Sequence, residues 1–168
     1  DWNRIYELVY HYQPKCLVAM CGFGARWCGN ESAVGDAVNW NILPMTSQLT
    51  SHHWVPFHYD QLISKNLPNI TDDLEALKGQ DLFFIPQECD TRILKMGWHW
   101  DEVGDPLSFE ALVNIYYASI GSGATLIISP SPDGSGAFVG PQGPRLVEWR
   151  EWIDKSFSKN LLRDSTLT

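Results

Sequence analysis

Three short apolar runs constrain this chain more than anything else in it: residues 16–21 (CLVAMC), 82–86 (LFFIP) and 124–129 (ATLIIS). Each is apolar throughout rather than alternating, and each gives way to a glycine-rich or polar loop. Continuous runs of this kind predict strands buried on both faces, as in parallel sheets. Helical spacing separates them. Ile5, Leu8, Val9 and Tyr12 share a face of a helix over 3–13, which Pro14 stops. Residues 71–78 predict a short helix capped by Thr71 and ended by Gly79. Ser108 caps a helix through about residue 119, with Leu112, Val113, Ile115 and Tyr116 on one side and Gly121 and Gly123 at its end. A last helix over 143–158 aligns Leu146, Trp149, Ile153 and Phe157.

Alternating helices and strands imply an α/β fold with a parallel sheet and right-handed crossovers. Three strands that need cover on both faces, with four helices to supply it, read as part of a larger domain. Charge and hydropathy narrow the function classes. Twelve Lys and Arg stand against 20 Asp and Glu, for a formal net charge of −8. With no basic run to neutralise phosphates, nucleic acid is not an expected partner. No apolar stretch approaches the ~20 residues of a membrane span. The opening Asp1-Trp2-Asn3-Arg4 has neither the basic start nor the apolar middle of a signal peptide. Cys16, Cys21, Cys28 and Cys89 form no C-x-x-C pair, which argues against a zinc ribbon and leaves a disulfide framework open. Sequons occur at Asn30 and Asn69 and matter only on a secretory route. No metal or cofactor is expected: His52 and His53 lack ligand-like neighbours, and Gly22-Phe23-Gly24 lacks the Lys-Ser/Thr ending of a phosphate loop. A serine nucleophile has no G-x-S-x-G to stand on.

In parallel α/β folds the functional groups gather at the carboxyl ends of strands. The first run is followed by Arg26-Trp27-Cys28-Gly29-Asn30-Glu31. The second is followed by Gln87-Glu88-Cys89-Asp90 and then Gly97-Trp98-His99-Trp100, and the third by the turn around Asp133-Gly134. Carboxylates beside tryptophan suit glycoside hydrolysis. One carboxyl group protonates the leaving oxygen, another attacks or activates water, and aromatic faces shape the sugar subsite. The residues themselves leave alternatives open. Glu31 can be a solvated loop residue, Glu88 and Asp90 can bind a ligand or cap a helix, and the eight tryptophans can be core.

The ordered set Asp1-Trp2 to Pro14, Arg26-Trp27-Cys28-Gly29-Asn30-Glu31, Pro86-Gln87-Glu88-Cys89-Asp90, Gly97-Trp98 and Ile115-Tyr116-Tyr117-Ala118-Ser119-Ile120-Gly121 resembles the α-L-fucosidases of glycoside hydrolase family 29. The resemblance covers most of residues 1–158. It implies the C-terminal half of an irregular (β/α)8, TIM-like barrel over about residues 1–160, with 161–168 as a tail. It also implies retaining hydrolysis of terminal α-L-fucosyl residues from a fucosylated glycan through a covalent fucosyl-enzyme. Glu31 then takes the place of the general acid/base, and Trp27, Asn30, Glu88, Asp90 and Trp98 match positions near the sugar. The nucleophilic aspartate falls before Asp1, so the other half of the barrel is an implied partner and the chain alone is expected to be inactive. An extracytoplasmic location follows from the same likeness. The sequence departs from the family at residues 91–96, one residue longer than usual and without its proline, and at Ser129, where asparagine is usual. Those departures fit a rival expectation, a catalytically inactive relative that binds glycans or serves a structural role. A third reading makes Glu88 or Asp90 the acid.

Overall fold

The computed structural model describes residues 2–19, 24–35, 41–44, 78–79, 82–100 and 104–163. Helix α1 (Trp2–Tyr12) comes first, followed by strands β1 (Arg26–Trp27), β2 (Ile42–Pro44), β3 (Leu82–Phe84) and β4 (Gln87–Arg92). Helix α2 (Phe109–Ala118), a 3-10 turn (Ile120–Ser122), strand β5 (Thr125–Ser129) and helix α3 (Gln142–Ser156) complete the order. The chain clusters into two compact units, one drawn from residues 1–91 and 115–128, the other from 92–114 and 129–168.

The first unit holds a three-stranded sheet ordered β1-β4-β5. Strands β1 and β4 run parallel, with Arg26 opposite Gln87 and Trp27 opposite Glu88. Arg26 N–H donates to Pro86 O (3.0 Å) and Cys28 N–H to Glu88 O (2.8 Å). A separate antiparallel pair joins β2 to β3. Asn41 fastens the start of β2 to the rest of the unit. Its carbonyl accepts from Ile85 N–H (2.8 Å), and its side-chain amide donates to Gly123 O (2.9 Å).

Two strand expectations need correction. Residues 16–19 are not a strand: Leu17 is 80% exposed, and the chain turns back so that Gly24 N–H donates to Val18 O (3.0 Å). A Cβ at Gly24 would lie 2.7 Å from Val18 N, so this return needs glycine. The strand beside β4 is Arg26–Trp27 instead. The run 82–86 is also divided, because β3 lies in the small antiparallel pair with Phe84 70% exposed. The neighbouring polar segment Gln87–Arg92, expected as a loop, is the central strand of the main sheet. Its backbone finds partners distant in sequence, as when Gln87 N–H donates to Asn41 Oδ1 (3.3 Å), and its buried side chains carry the cost that shows at Glu88.

Other expectations hold. Helix α1 spans nearly the expected residues, although Ile5, Leu8 and Tyr12 remain exposed while Tyr6 is buried. Ser108 Oγ accepts from Ala111 N–H (3.1 Å), an N-cap that starts α2 where the sequence places it. Beyond the helix, Gly123 adopts φ 81°, and its N–H donates to Ile120 O. Strand β5 coincides with the third apolar run, but it is not buried on both faces as expected: none of its residues is fully buried and Ile127 is 44% exposed. In the second unit, α3 buries Trp149, and Gln142 at its start exchanges two hydrogen bonds with the Ser131 backbone (2.9 and 3.1 Å). The helix expected over 71–78 lies outside the described residues except for Lys78, as do Asn69, His52, His53 and residues 164–168.

Candidate functional site

Strand β4 alternates its side chains between two faces. Gln87, Cys89 and Thr91 share one face; Glu88 and Asp90 share the other. The parallel register puts Trp27 on the Glu88 side and Cys28 on the Cys89 side. The cysteine side is the core, where Cys28, Ala33, Cys89 and Ala124 cluster with Trp27, Ile115 and Leu126 packed on them. Sheet geometry thus puts the Cys89 thiol and the two acids of β4 on opposite faces, while the Trp27 ring both packs on the apolar cluster and reaches Asp90 with its N–H.

On the acid-bearing face, Trp27 Nε1–H donates to Asp90 Oδ1 at 2.5 Å, which fixes the indole against the carboxylate. Glu88 is 6% exposed, and its Oε2 has no hydrogen-bond partner among the described residues. Burial pushes the Glu88 carboxyl above the usual carboxylate range, and the neighbouring Asp90 charge pushes it the same way. Glu88 and Asp90 therefore lie within the central strand, not in the loop after it.

Glu31 lies in the loop that follows β1 and is exposed. The Asn30 side chain and the Ala33 N–H both hold that loop. Asn30 Oδ1 accepts from Ser32 N–H (3.0 Å) and Val34 N–H (3.2 Å), while Asn30 Nδ2 donates to Val34 O (2.8 Å). Ala33, fully buried with φ 56°, donates its N–H to Asp90 O at 3.1 Å. The loop bearing Glu31 is thereby tied to the strand bearing Glu88 and Asp90. Asn30 uses its side chain to shape this loop, a role the sequence reading did not give it.

Trp98 belongs to the second unit, with the Arg92 guanidinium 5.9 Å from its ring centroid and its carbonyl accepting from Ser131 Oγ (2.8 Å). Two buried groups went unread in the sequence. Arg26 is buried and its guanidinium donates to Ile85 O, and Cys28 faces Cys89 across the ladder. The sequence signs were that both flank Trp27 and that Cys28 and Cys89 belonged to a disulfide framework left open. Among the described residues no group of three or more His, Cys, Asp or Glu could hold a metal ion, and no helix is long and apolar enough to cross a membrane.

An α/β unit with parallel strands and paired carboxylates beside an indole defines a class, and comparison with known proteins narrows it. The chain is 26% identical over 159 residues to α-L-fucosidase 1 of Arabidopsis thaliana, covering 94% of this chain and 28% of that protein. It is 27% identical over 164 residues to a rice (Oryza sativa subsp. japonica) protein provisionally named α-L-fucosidase 1, covering 97% and 28%. A solved Bacteroides ovatus structure, provisionally designated an α-L-fucosidase, aligns with TM-score 0.71 and 25% identity over 95% of this chain and 28% of that one. A glycoside hydrolase 29 family member from a rumen bacterium shares the fold at TM-score 0.70 and 23% identity, over 100% and 27%. No protein-family model matches. The resemblance to the family 29 α-L-fucosidases is thus borne out in both sequence and fold, and at the scale of a fragment: the chain spans about 28% of the length of the curated relatives it matches.

Proposed function

We propose that this chain is the C-terminal portion of the (β/α)8 barrel of a retaining α-L-fucosidase-like glycosidase, acting outside the cytoplasm on terminal α-L-fucosyl residues of glycans. Glu31 is the general acid/base. The nucleophile is an aspartate that precedes Asp1 in the complete protein. The observation that carries this reading is the Ala33 N–H to Asp90 O bond, which tethers the Glu31 loop to the acid-bearing strand. In the first step Glu31 gives its proton to the departing glycosidic oxygen while the aspartate bonds to the anomeric carbon. In the second, the Glu31 carboxylate takes a proton from the water that releases fucose. A retaining pair works at a carboxyl separation of ~5–5.5 Å. Asn30 acts as a positioning residue for Glu31. Trp27, Glu88 and Asp90 form the sugar-facing surface of the first unit, with Trp27 held by Asp90, and Trp98 is assigned a sugar contact on the family resemblance alone.

The test is hydrolysis of an aryl α-L-fucoside by the full-length protein. Glu31→Gln lowers turnover by about two orders of magnitude or more, and azide restores part of it by attacking the fucosyl-enzyme. Unchanged turnover in Glu31→Gln refutes the assignment. Fucose binding without hydrolysis in the unmodified protein favours the inactive, glycan-binding relative. A second enzymatic reading takes Glu88 as the acid, favoured by its buried, unpartnered Oε2 and its upward-shifted carboxyl. That reading requires Glu31→Gln to be silent and Glu88→Gln to abolish turnover.

A further inference from the structure

Backbone register sets Cys28 beside Cys89. Trp27 pairs with Glu88, and Cys28 N–H donates to Glu88 O, so the next rung of the parallel ladder brings the two cysteines together. Register neighbours project to the same face, and both thiols lie in one buried cluster with Ala33 and Ala124. Cys28 is 4% exposed, Cys89 is 0% exposed, and both are free. Neighbouring strands run ~4.8 Å apart, which falls within the ~4.4–6.8 Å of Cα separation that a disulfide spans.

We propose that Cys28 and Cys89 are an oxidisable pair that closes to a disulfide joining β1 to β4, directly behind the face that carries Trp27, Glu88 and Asp90. The Cys28 thiol donates to Asn30 O at 3.1 Å, which holds the Cys28 side chain in the buried cluster it shares with Cys89. The neighbouring Cys89 draws the Cys28 thiol down to about 7 against the opposing effect of burial, and the neighbouring Cys28 together with burial raises Cys89 well above the ordinary thiol range. Either thiol can open the exchange while the strands are still apart; taking Cys28, at the end of the short strand β1, as the attacking one makes Cys89 the resolving thiol. With a small disulfide such as oxidised glutathione as oxidant, Cys28 Sγ attacks one of its sulfurs and the glutathione S–S bond breaks. One glutathione leaves as a thiolate and takes up a proton. Cys89, giving its proton to solvent, then attacks Cys28 Sγ and expels the second glutathione. The protein loses two hydrogens in all, and one glutathione disulfide becomes two thiols. The pair closes as the two strands zip together, before the core shields the sulfurs. An oxidising compartment favours the closed form.

The full-length protein, refolded and equilibrated in glutathione buffers from reducing to oxidising, is acid-quenched, denatured, alkylated with iodoacetamide and digested. The expected result is one cross-linked species joining the Cys28 and Cys89 peptides, about 2 Da below their summed reduced mass, with Cys16 alkylated throughout. Alkylation of both Cys28 and Cys89 at the most oxidising buffer overturns the proposal. So does linkage of either to Cys16, to Cys21 or to glutathione as the final state. The mapping uses the unaltered protein, so it does not depend on a cysteine variant folding, and it reads sulfur chemistry independently of hydrolysis.

Discussion

Replacing Trp27 by Phe tests whether the indole is held by Asp90 or merely packs there. The substitution keeps an aromatic body against the core and removes the N–H that donates to Asp90 Oδ1 at 2.5 Å. Hydrogen bonds to charged groups contribute ~1.5–3 kcal/mol. Both residues are half-buried, so the lower part of that range applies, about 1.5–2 kcal/mol. The loss falls on β1 and the loop after it, where Cys28 N–H and Ala33 N–H are bonded to Glu88 O and Asp90 O. Native-state hydrogen exchange by mass spectrometry on the full-length protein reads this opening locally. At 1.4 kcal/mol per decade, Trp27→Phe speeds exchange in the peptide spanning residues 26–34 by roughly ten- to thirtyfold. Asp90→Asn keeps an acceptor without the charge, and its effect is about half as large in free energy. Exchange in that peptide within about threefold of the unaltered protein for Trp27→Phe would refute the argument that this bond anchors the site.

Glu88→Gln is expected to raise stability at neutral pH. Burial and Asp90 raise the folded-state pKa of Glu88 above its unfolded value, so the folded protein binds the extra proton. Stability is then fullest below the unfolded pKa and falls as pH rises from there through the raised one; urea titrations across that window check that Gln removes the fall. Asn30→Ala removes three hydrogen bonds within the Glu31 loop and is expected to lower kcat on an aryl fucoside more than it raises KM, with steady-state kinetics as the check. Gln142→Ala leaves Ser131 N–H and C=O without their buried partners, a cost of about 2 kcal/mol that appears as faster exchange around the start of α3.

Helix boundaries were legible because they depend on neighbours in the chain. Ser108 can reach only the first turn of α2, and Gly123 takes the left-handed conformation that follows it whatever lies elsewhere. The third apolar run became β5 for a similar reason. The Arg26–Glu31 and Gln87–Asp90 segments also carried the family resemblance on their own, since a motif is a property of order and spacing.

Strand assignment depended on more than local order. Residues 16–19 are as apolar as a buried strand, yet their backbone turns back at Gly24, and Arg26 and Trp27 take the place beside β4. Gln87, Glu88 and Thr91 look like loop residues and are nevertheless buried in the central strand. The backbone of a polar segment enters a core when its partners are supplied there, and here Asn41 and β1 supply them from distant parts of the chain, while the unpartnered Glu88 Oε2 answers its burial by an upward-shifted carboxyl. The same long-range ladder decided which faces the acids and thiols occupy. Order along the chain therefore determined the helices and the chemical vocabulary of the site; pairing across the sheet decided which of those groups meet, because hydrogen-bond partners and desolvation come from residues the local sequence does not contain.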